Sequence, residues 1–327
     1  MAQTPDERAS MAYHHPVMVR EILDLLVPVE RGVLVDATFG GGGHTRAILE
    51  RLPEINVLAL DRDPDAAAQV LADPRLRFAA ANFGDLDRTL AAEIGTEVPP
   101  HELGEDDHPS GGVAAVLFDL GVSSHQLDTR ARGFSYRDAG PLDMRMGPDA
   151  RRDADEIVNE WDARRLARIL SRFGEERFAV RIARAVVAAR PIRDTAQLAE
   201  VVASAVPAAA RRHRHPARKT FQAIRIAVND ELEALERGLD AAIRWVRPRG
   251  RIVVITYHSL EDRIVKRRFA AGSAGCECPP NLPVCACGRV TELRSLARKV
   301  VRPAEDEVAS NPRSRSAKLR AVEKVAS

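Results

Sequence analysis

Hydrophobic and polar positions over the first 120 residues alternate between two rhythms. Short runs rich in aliphatic and β-branched residues, at 32–36 (GVLVD), 56–61 (NVLALD), 76–80 (LRFAA) and 113–119 (VAAVLFD), predict four strands. Between and before them, apolar residues at helical spacing predict helices over 17–26, 44–51, 64–71 and 85–94. Strand and helix in strict alternation is the pattern of a parallel sheet flanked by helices, a Rossmann-like beginning.

From about residue 129 the strand signals stop, and helices are predicted over 153–161, 163–173, 175–189 and 195–206. Gly174 stands where a residue closing a helix is expected, and Asp194 with Gln197 has the spacing of an N-terminal capping pair. Phe221, Ile224, Val228, Leu232, Leu235, Leu239, Ile243 and Val246 then recur at steps of three and four, which predicts one long amphipathic helix. It leads into IVVITY (252–257), where the sheet resumes. A helical block inside a β/α frame reads as an insertion. Since it follows the fourth strand, it leaves the sheet on the side where open α/β sheets bind ligands. The expected organisation is a disordered start (1–12), an α/β body (13–128 and 218–272), a helical insertion (129–217) that shapes substrate recognition, and a cysteine-containing loop with a basic tail (273–327). The acidic stretch 97–112 reads as a solvated connection entering from the opposite edge.

Composition narrows the class. With 327 residues, 45% hydrophobic and 29% charged, the chain can bury the cores of about two domains and is neither disordered nor collagen-like. No apolar run reaches the roughly 18 residues that span a bilayer, and the first residues lack a signal-peptide core, so the expectation is a cytoplasmic protein with no membrane partner. The net charge of +2 conceals a partition: residues 263–327 hold 14 Lys/Arg against 6 Asp/Glu, leaving the rest acidic. A basic tail on an acidic body points toward a polyanion, although solvation alone also explains such tails. The excess of Arg over Lys reflects coding bias and has no functional weight.

Chemistry enters at the strand ends. The first strand runs into Asp36-Ala-Thr-Phe-Gly40-Gly41-Gly42-Gly43-His44, where glycines let the backbone approach a ligand and a helix N-terminus offers N–H donors. Asp61 closes the second strand, where a carboxylate can accept from two ribose hydroxyls. Asp119 closes the fourth. A nicotinamide enzyme needs no acid there, and the glycine run lacks the G-x-G-x-x-G order, so S-adenosylmethionine is favoured over a nicotinamide.

Taken together, YHHPVM (13–18), DATFGGGGHT (36–45), ALDRDP (59–64), DLGVSSHQLD (119–128), RGFSYRDAGPLDMRM (132–146), FGEERFAVRIARAV (173–186), HPARKTFQAIRIAVNDELEALE (215–236), TYHSLEDRIVKRRF (256–269) and NPRSRSAKLR (311–320) resemble one family. It is that of the bacterial 16S ribosomal RNA cytosine-N4 methyltransferases, which act on a decoding-centre cytosine. The resemblance implies a Rossmann-like class I S-adenosylmethionine-dependent methyltransferase with an inserted all-helical domain. It implies cofactor contacts at Gly42, Gly43, His44, Asp61 and Phe83, with Asp119 and Gln126 nearer the reacting end. It also implies 16S rRNA, within the small ribosomal subunit, as partner. The Asn/Asp-Pro-Pro-aromatic motif of many amino-methyltransferases is absent, which leaves Asp119 as the nearest candidate to accept a proton from the reacting amine.

Other residues are read with alternatives open. Arg211, Arg212, Arg214, Arg218 and Lys219, then Arg263, Lys266, Arg267 and Arg268, and the terminal Arg313, Arg315, Lys318 and Arg320 are expected to meet phosphates. Phe134 and Tyr136 could stack on an extruded base or pack the insertion. His258 could take a proton or link loops, and Ser259 is expected to cap the helix that follows. Cys276, Cys278, Cys285 and Cys287 could hold structural zinc, stay reduced, or form a redox pair; C-x-C is a less favourable chelating unit than C-x-x-C. Whether the chain acts alone or as a homodimer is open, as are the rival readings of a dehydrogenase or an RNA-binding assembly factor.

Overall fold

The computed structural model describes residues 16–95, 112–211, 215–275 and 290–326. The chain divides into an α/β unit, Met1–Gly121 with Leu232–Ser327, and a helical unit, Val122–Glu231.

The α/β unit is built on a seven-stranded sheet ordered β3-β2-β1-β4-β5-β7-β6. Strands β1 (Gly32–Asp36), β2 (Ile55–Asp61), β3 (Leu76–Ala80), β4 (Val113–Asp119) and β5 (Val246–Thr256) are parallel. Both faces of the central strands are buried. Val35, Leu58, Leu60, Val116, Phe118, Ile252 and Val254 pack with Leu235, Leu239 and Ile243 of helix Glu231–Trp245. Their sequence neighbours Leu34, Val57, Ala59, Leu117, Val253 and Ile255 pack with Ile22, Leu26, Ile48 and Leu49 on the other face. Two covered faces explain why these strands read as unbroken apolar runs. Each such side chain, fully removed from water, contributes on the order of 2 kcal/mol.

Two expectations are corrected here. The residues read as a basic tail form β6 (Leu293–Ser295) and β7 (Lys318–Lys324), with β7 antiparallel to β5 and β6 antiparallel to β7. Leu319 and Ala321 face one core and Val322 the other, so the strand is real despite its four charges. The single long helix is broken in two, Ala217–Asn229 and Glu231–Trp245, at Asp230 with φ 49°. A period of three and four cannot register one left-handed residue. What fixes the break is Asn229, which is 2% exposed; its amide accepts from Met146 N at 2.8 Å and donates to Met144 O at 2.8 Å. Helix Ala217–Asn229 buries Phe221, Ile224, Ala227 and Val228 in the helical unit's core, so that unit extends past the boundary expected at residue 217 and begins before 129.

In the helical unit, Ala154–Asn159, Ala163–Arg172, Ala179–Ala188 and Thr195–Ala205 pack around one core containing Leu166, Ile169, Ile182, Val186, Leu198 and Val202. Asp153, Asp162 and Asp194 cap three of these helices, each accepting from first-turn backbone amides. The acidic stretch and all four cysteines fall outside the described residues. Among the described residues no helix is long and apolar enough to cross a membrane.

Candidate active site

Because five adjacent strands run parallel, their carboxyl ends share one edge, and each end delivers a side chain of interest. At β1, Asp36 is 1% exposed and ties down the turn that follows it: one oxygen accepts from Thr38 N at 3.2 Å, the other from Thr45 Oγ1 at 2.7 Å. Within the turn Gly42 has φ 72°, and a Cβ there would lie 2.7 Å from Phe39 Cζ, so no L side chain fits. A Cβ on Gly43 would crowd Pro16 at 3.0 Å. Helix Gly43–Arg51 starts with no side-chain cap, so its first-turn amides have neither a carbonyl one turn back nor a capping oxygen to donate to.

At β2, the Asp61 carboxylate accepts from Gly40 N at 2.7 Å and Asp63 N at 2.8 Å, one on each oxygen. Burial outweighs those two donors and pushes the carboxyl up to about 6. Each oxygen retains a lone pair, so the group can accept two more hydrogen bonds, the number a ribose diol donates. Past β3, Phe83 opens a short turn capped by Asn82; half-buried, it meets Phe118 edge-to-face at 5.8 Å and 88°.

At β4, the backbone N–H of Asp119 donates to Thr38 Oγ1 at 2.7 Å, which links this strand end to the glycine turn. Its carboxylate accepts from Tyr257 Oη at 2.9 Å and lies 3.6 Å from His44 Nδ1. The far ring nitrogen of His44 sits 2.9 Å from Val17 O, which can only accept, so Nε2 carries a hydrogen. Burial raises the Asp119 carboxyl, with His44 and Tyr257 opposing, yet 23% of the side chain stays exposed. Tyr257, just past β5, is held well above the ordinary phenol value by burial and then by the Asp119 charge, so it stays a donor.

The structure therefore brings Gly42, Gly43, His44, Asp61, Phe83 and Asp119 to one edge of the α/β unit. Gln126 belongs to the helical unit, 5% exposed, where its side-chain oxygen accepts from Ser123 N at 3.0 Å in a capping box. Thr38 and Tyr257 complete the network around Asp119; both lie in stretches the sequence singles out, the glycine turn and 256–269, although neither is among the expected cofactor contacts. His258 is settled by geometry: it caps helix Ser259–Ser273, its backbone N–H donating to Glu261, so Ser259 is the first helical residue instead of the cap. Phe134 is buried and Tyr136 stacks on His215 at 4.6 Å, both packing within the helical unit.

Several cations expected to meet phosphates already have partners. Arg268 pairs with Asp240 at 2.5 Å, Lys318 and Arg320 both pair with Asp262 at 2.9 and 2.8 Å, and Lys219 donates to Glu175 O. Arg218, Arg263, Lys266, Arg267, Arg313 and Arg315 are exposed; Arg212 and Arg214 lie outside the described residues, and only the backbone of Arg211 is described.

The strand order, with its one reversed strand, β7, between β5 and β6, and the ligand-ready edge define a Rossmann-like class I methyltransferase of the S-adenosylmethionine-dependent kind. The match to known proteins is then specific: residues 11–325 fit the MraW methylase family, and the chain belongs to it. A protein of Symbiobacterium thermophilum called ribosomal RNA small subunit methyltransferase H is 49% identical over 324 residues, covering 96% of this chain and 98% of the relative. One of the same name from Geobacter sulfurreducens is 49% identical over 323 residues, covering 95% and 99%. The solved structure of an rRNA methylase from Streptococcus thermophilus aligns over 99% of both chains at 10% identity, with a TM-score of 0.38.

Proposed function

We propose that this protein transfers a methyl group from S-adenosyl-L-methionine to the exocyclic N4 of one cytosine in 16S ribosomal RNA, at the decoding centre of the small subunit. The observation that carries this reading is near-half identity, along almost the whole chain, to relatives named for methylating small-subunit ribosomal RNA. The site's chemistry is consistent with it. Gly42, Gly43 and His44 would face the cofactor's amino-acid end, Asp61 its ribose hydroxyls, and Phe83 its adenine face, with Asp119 and Gln126 toward the reacting end.

When bound, the cofactor supplies an electrophilic methyl on a sulfonium. The chain's residues have to hold N4 in line with that carbon and accept its proton as positive charge develops on nitrogen. The cytosine amine is a poor nucleophile, so alignment and an anionic acceptor matter more than a strong base. Asp119 fits that acceptor: Tyr257 fixes one oxygen, and part of the carboxylate stays open.

The test is methyl transfer from labelled cofactor to assembled small subunits and to naked 16S rRNA, followed by nucleoside analysis. Label in N4-methylcytidine is expected. No label in either substrate would end the enzyme reading, and label on another base would end the N4 assignment. Action in the cytoplasm follows from that substrate. Structural zinc at Cys276, Cys278, Cys285 and Cys287 rests on the donor set alone, and metal content near one equivalent, against a trace, decides it.

A further inference from the structure

Helices Ala163–Arg172 and Ala179–Ala188 pack against each other and bury Leu166, Ile169, Leu170, Ile182, Ala183 and Val186 in the helical unit's core. Their other faces are arginine. Residues 163–188 hold seven arginines, 164, 165, 168, 172, 177, 181 and 184, against Glu175 and Glu176. All seven are exposed, whereas Glu176 is buried and its carboxylate accepts from Phe178 N at 2.8 Å. At about 100° per residue, Arg164, Arg165, Arg168 and Arg172 fall within roughly a 100° arc, turned away from Leu166, Ile169 and Leu170.

What separates this face from an ordinary solvated one is the lack of counter-charge. Many of the protein's other cations close on carboxylates, among them Arg75 on Asp73, Arg145 on Asp143, Arg225 on Glu231 and Arg268 on Asp240, while others such as Arg46, Arg51 and Arg267 are exposed like these; what marks the helix pair is how many such arginines it gathers in 26 residues. Among the described residues, Arg164, Arg165, Arg168, Arg177, Arg181 and Arg184 make no such pair. Asp162 caps the helix through Arg164 N and Arg165 N, and although its charge also feels those two guanidiniums it forms no salt bridge with either. Two of the guanidiniums are also held in place without being neutralised. Arg165 lies 3.4 Å over the Trp161 ring and Arg177 4.8 Å over that of Phe178, an arrangement that leaves the in-plane N–H donors pointing outward.

We infer that this helix pair is a phosphate-binding surface for the backbone of the RNA substrate. The inference rests on the RNA reading above and adds where the polyanion is gripped. Unpaired, partly pre-positioned guanidiniums on a rigid hairpin match a ladder of phosphates, each of which takes a bidentate donor, and they carry no base specificity. The sequence hid this surface because the arginines are interleaved with core residues, so no basic block forms.

The test compares wild type, the fourfold variant Arg164→Gln, Arg168→Gln, Arg181→Gln, Arg184→Gln, and the matching fourfold Arg→Lys variant. Each is titrated with protein-free 16S rRNA and with assembled small subunits at several salt concentrations, and methyl transfer to both is assayed; cofactor affinity and thermal midpoint control for folding. Losing four phosphate contacts should make the log K against log salt slope shallower by about 3 and weaken binding on the order of a hundredfold near 0.15 M salt, with the Lys variant keeping the wild-type slope because the charge is retained. An unchanged slope in the Gln variant overturns the proposal. So does a loss confined to assembled subunits, which would assign the face to a protein of the particle. Wild type that binds rRNA with a steep slope but methylates neither substrate would sink the functional reading while leaving the surface standing.

Discussion

In the α/β unit, three carboxylates stand at neighbouring strand ends, Asp36 buried and Asp61 and Asp119 partly so, and desolvation pushes all three toward protonation. In the helical unit, six exposed guanidiniums of one helix pair and its connection form no salt bridge among the described residues. The two placements differ in what they ask of the fold. Raising Asp61 from 3.8 to about 6 costs about 3 kcal/mol of stability at neutral pH. The sign follows from linkage: the folded protein holds this proton more tightly than the unfolded chain, so the group's contribution is best below its unfolded value and is lost as pH rises through about 6. Exposed arginines carry almost no such penalty. A buried charge has to be held by the fold, and the hydrogen bonds that hold it show what geometry is being preserved; an exposed unpaired charge is free to be used by a partner.

The largest effect should come from the buried side of this contrast. Asp119→Ala should reduce methyl transfer by at least about a hundredfold, the scale on which a transition-state acceptor or donor is lost, with cofactor affinity changed far less. A variant keeping more than half of wild-type activity would remove Asp119 from the mechanism. The fourfold arginine variant comes next, at about a hundredfold in RNA affinity and nothing in cofactor affinity. Asp61→Asn should weaken cofactor binding by about ten- to thirtyfold, since an amide cannot accept on both sides. In wild type, cofactor affinity should be flat above pH 7 and fall about tenfold per unit below about 6, as the carboxylate is protonated. Calorimetric titration across pH reads both, and an affinity that is level from pH 5 to 8 would exclude Asp61 from the ribose.

Tyr257→Phe probes how the buried carboxylate is held. Removing the Oη donor leaves burial less opposed, so the Asp119 carboxyl should rise further and the acid limb of kcat/KM should move to higher pH. At high pH the variant should lie within several-fold of wild type. An unmoved acid limb with uniformly low activity would mean that Tyr257 only packs.

How much of this was legible beforehand also divides by unit. β1, β3 and β4 were placed to the residue, and the glycine turn, Asp61 and Asp119 with them, because a strand covered on both faces is an unbroken apolar run and its carboxyl end is where chemistry collects. Strand β7 was read as tail because Lys318, Arg320, Glu323 and Lys324 mask its apolar positions, and its place is set by pairing with β5, far away in sequence. The break at Asp230 depends on Asn229 bonding to Met144 and Met146, again a long-range contact. The same blindness reversed the charge map. Counting cations along the chain marked Arg268, Lys318 and Arg320, all of which fold against carboxylates, and passed over the hairpin arginines, which do not.

The double variant Lys318→Gln, Arg320→Gln therefore sharpens the comparison by what it leaves alone. These two cations grip Asp262 from β7, and although burial works against them, their hydrogen bonds hold that carboxyl below its ordinary value. Neutralising them should leave the salt slope of RNA binding within about half a unit of wild type, because cations already closed on a carboxylate release few counterions when RNA arrives. The cost should appear in folding, at about 1 kcal/mol in a denaturant titration near pH 7. A carboxyl depressed in the folded state contributes its stability above the unfolded value and loses it as pH falls through the folded one, so the deficit should shrink toward zero in acid. A slope made shallower by about two would show that Lys318 and Arg320 leave Asp262 for phosphate, and the paired and unpaired cations of this protein would no longer be distinct.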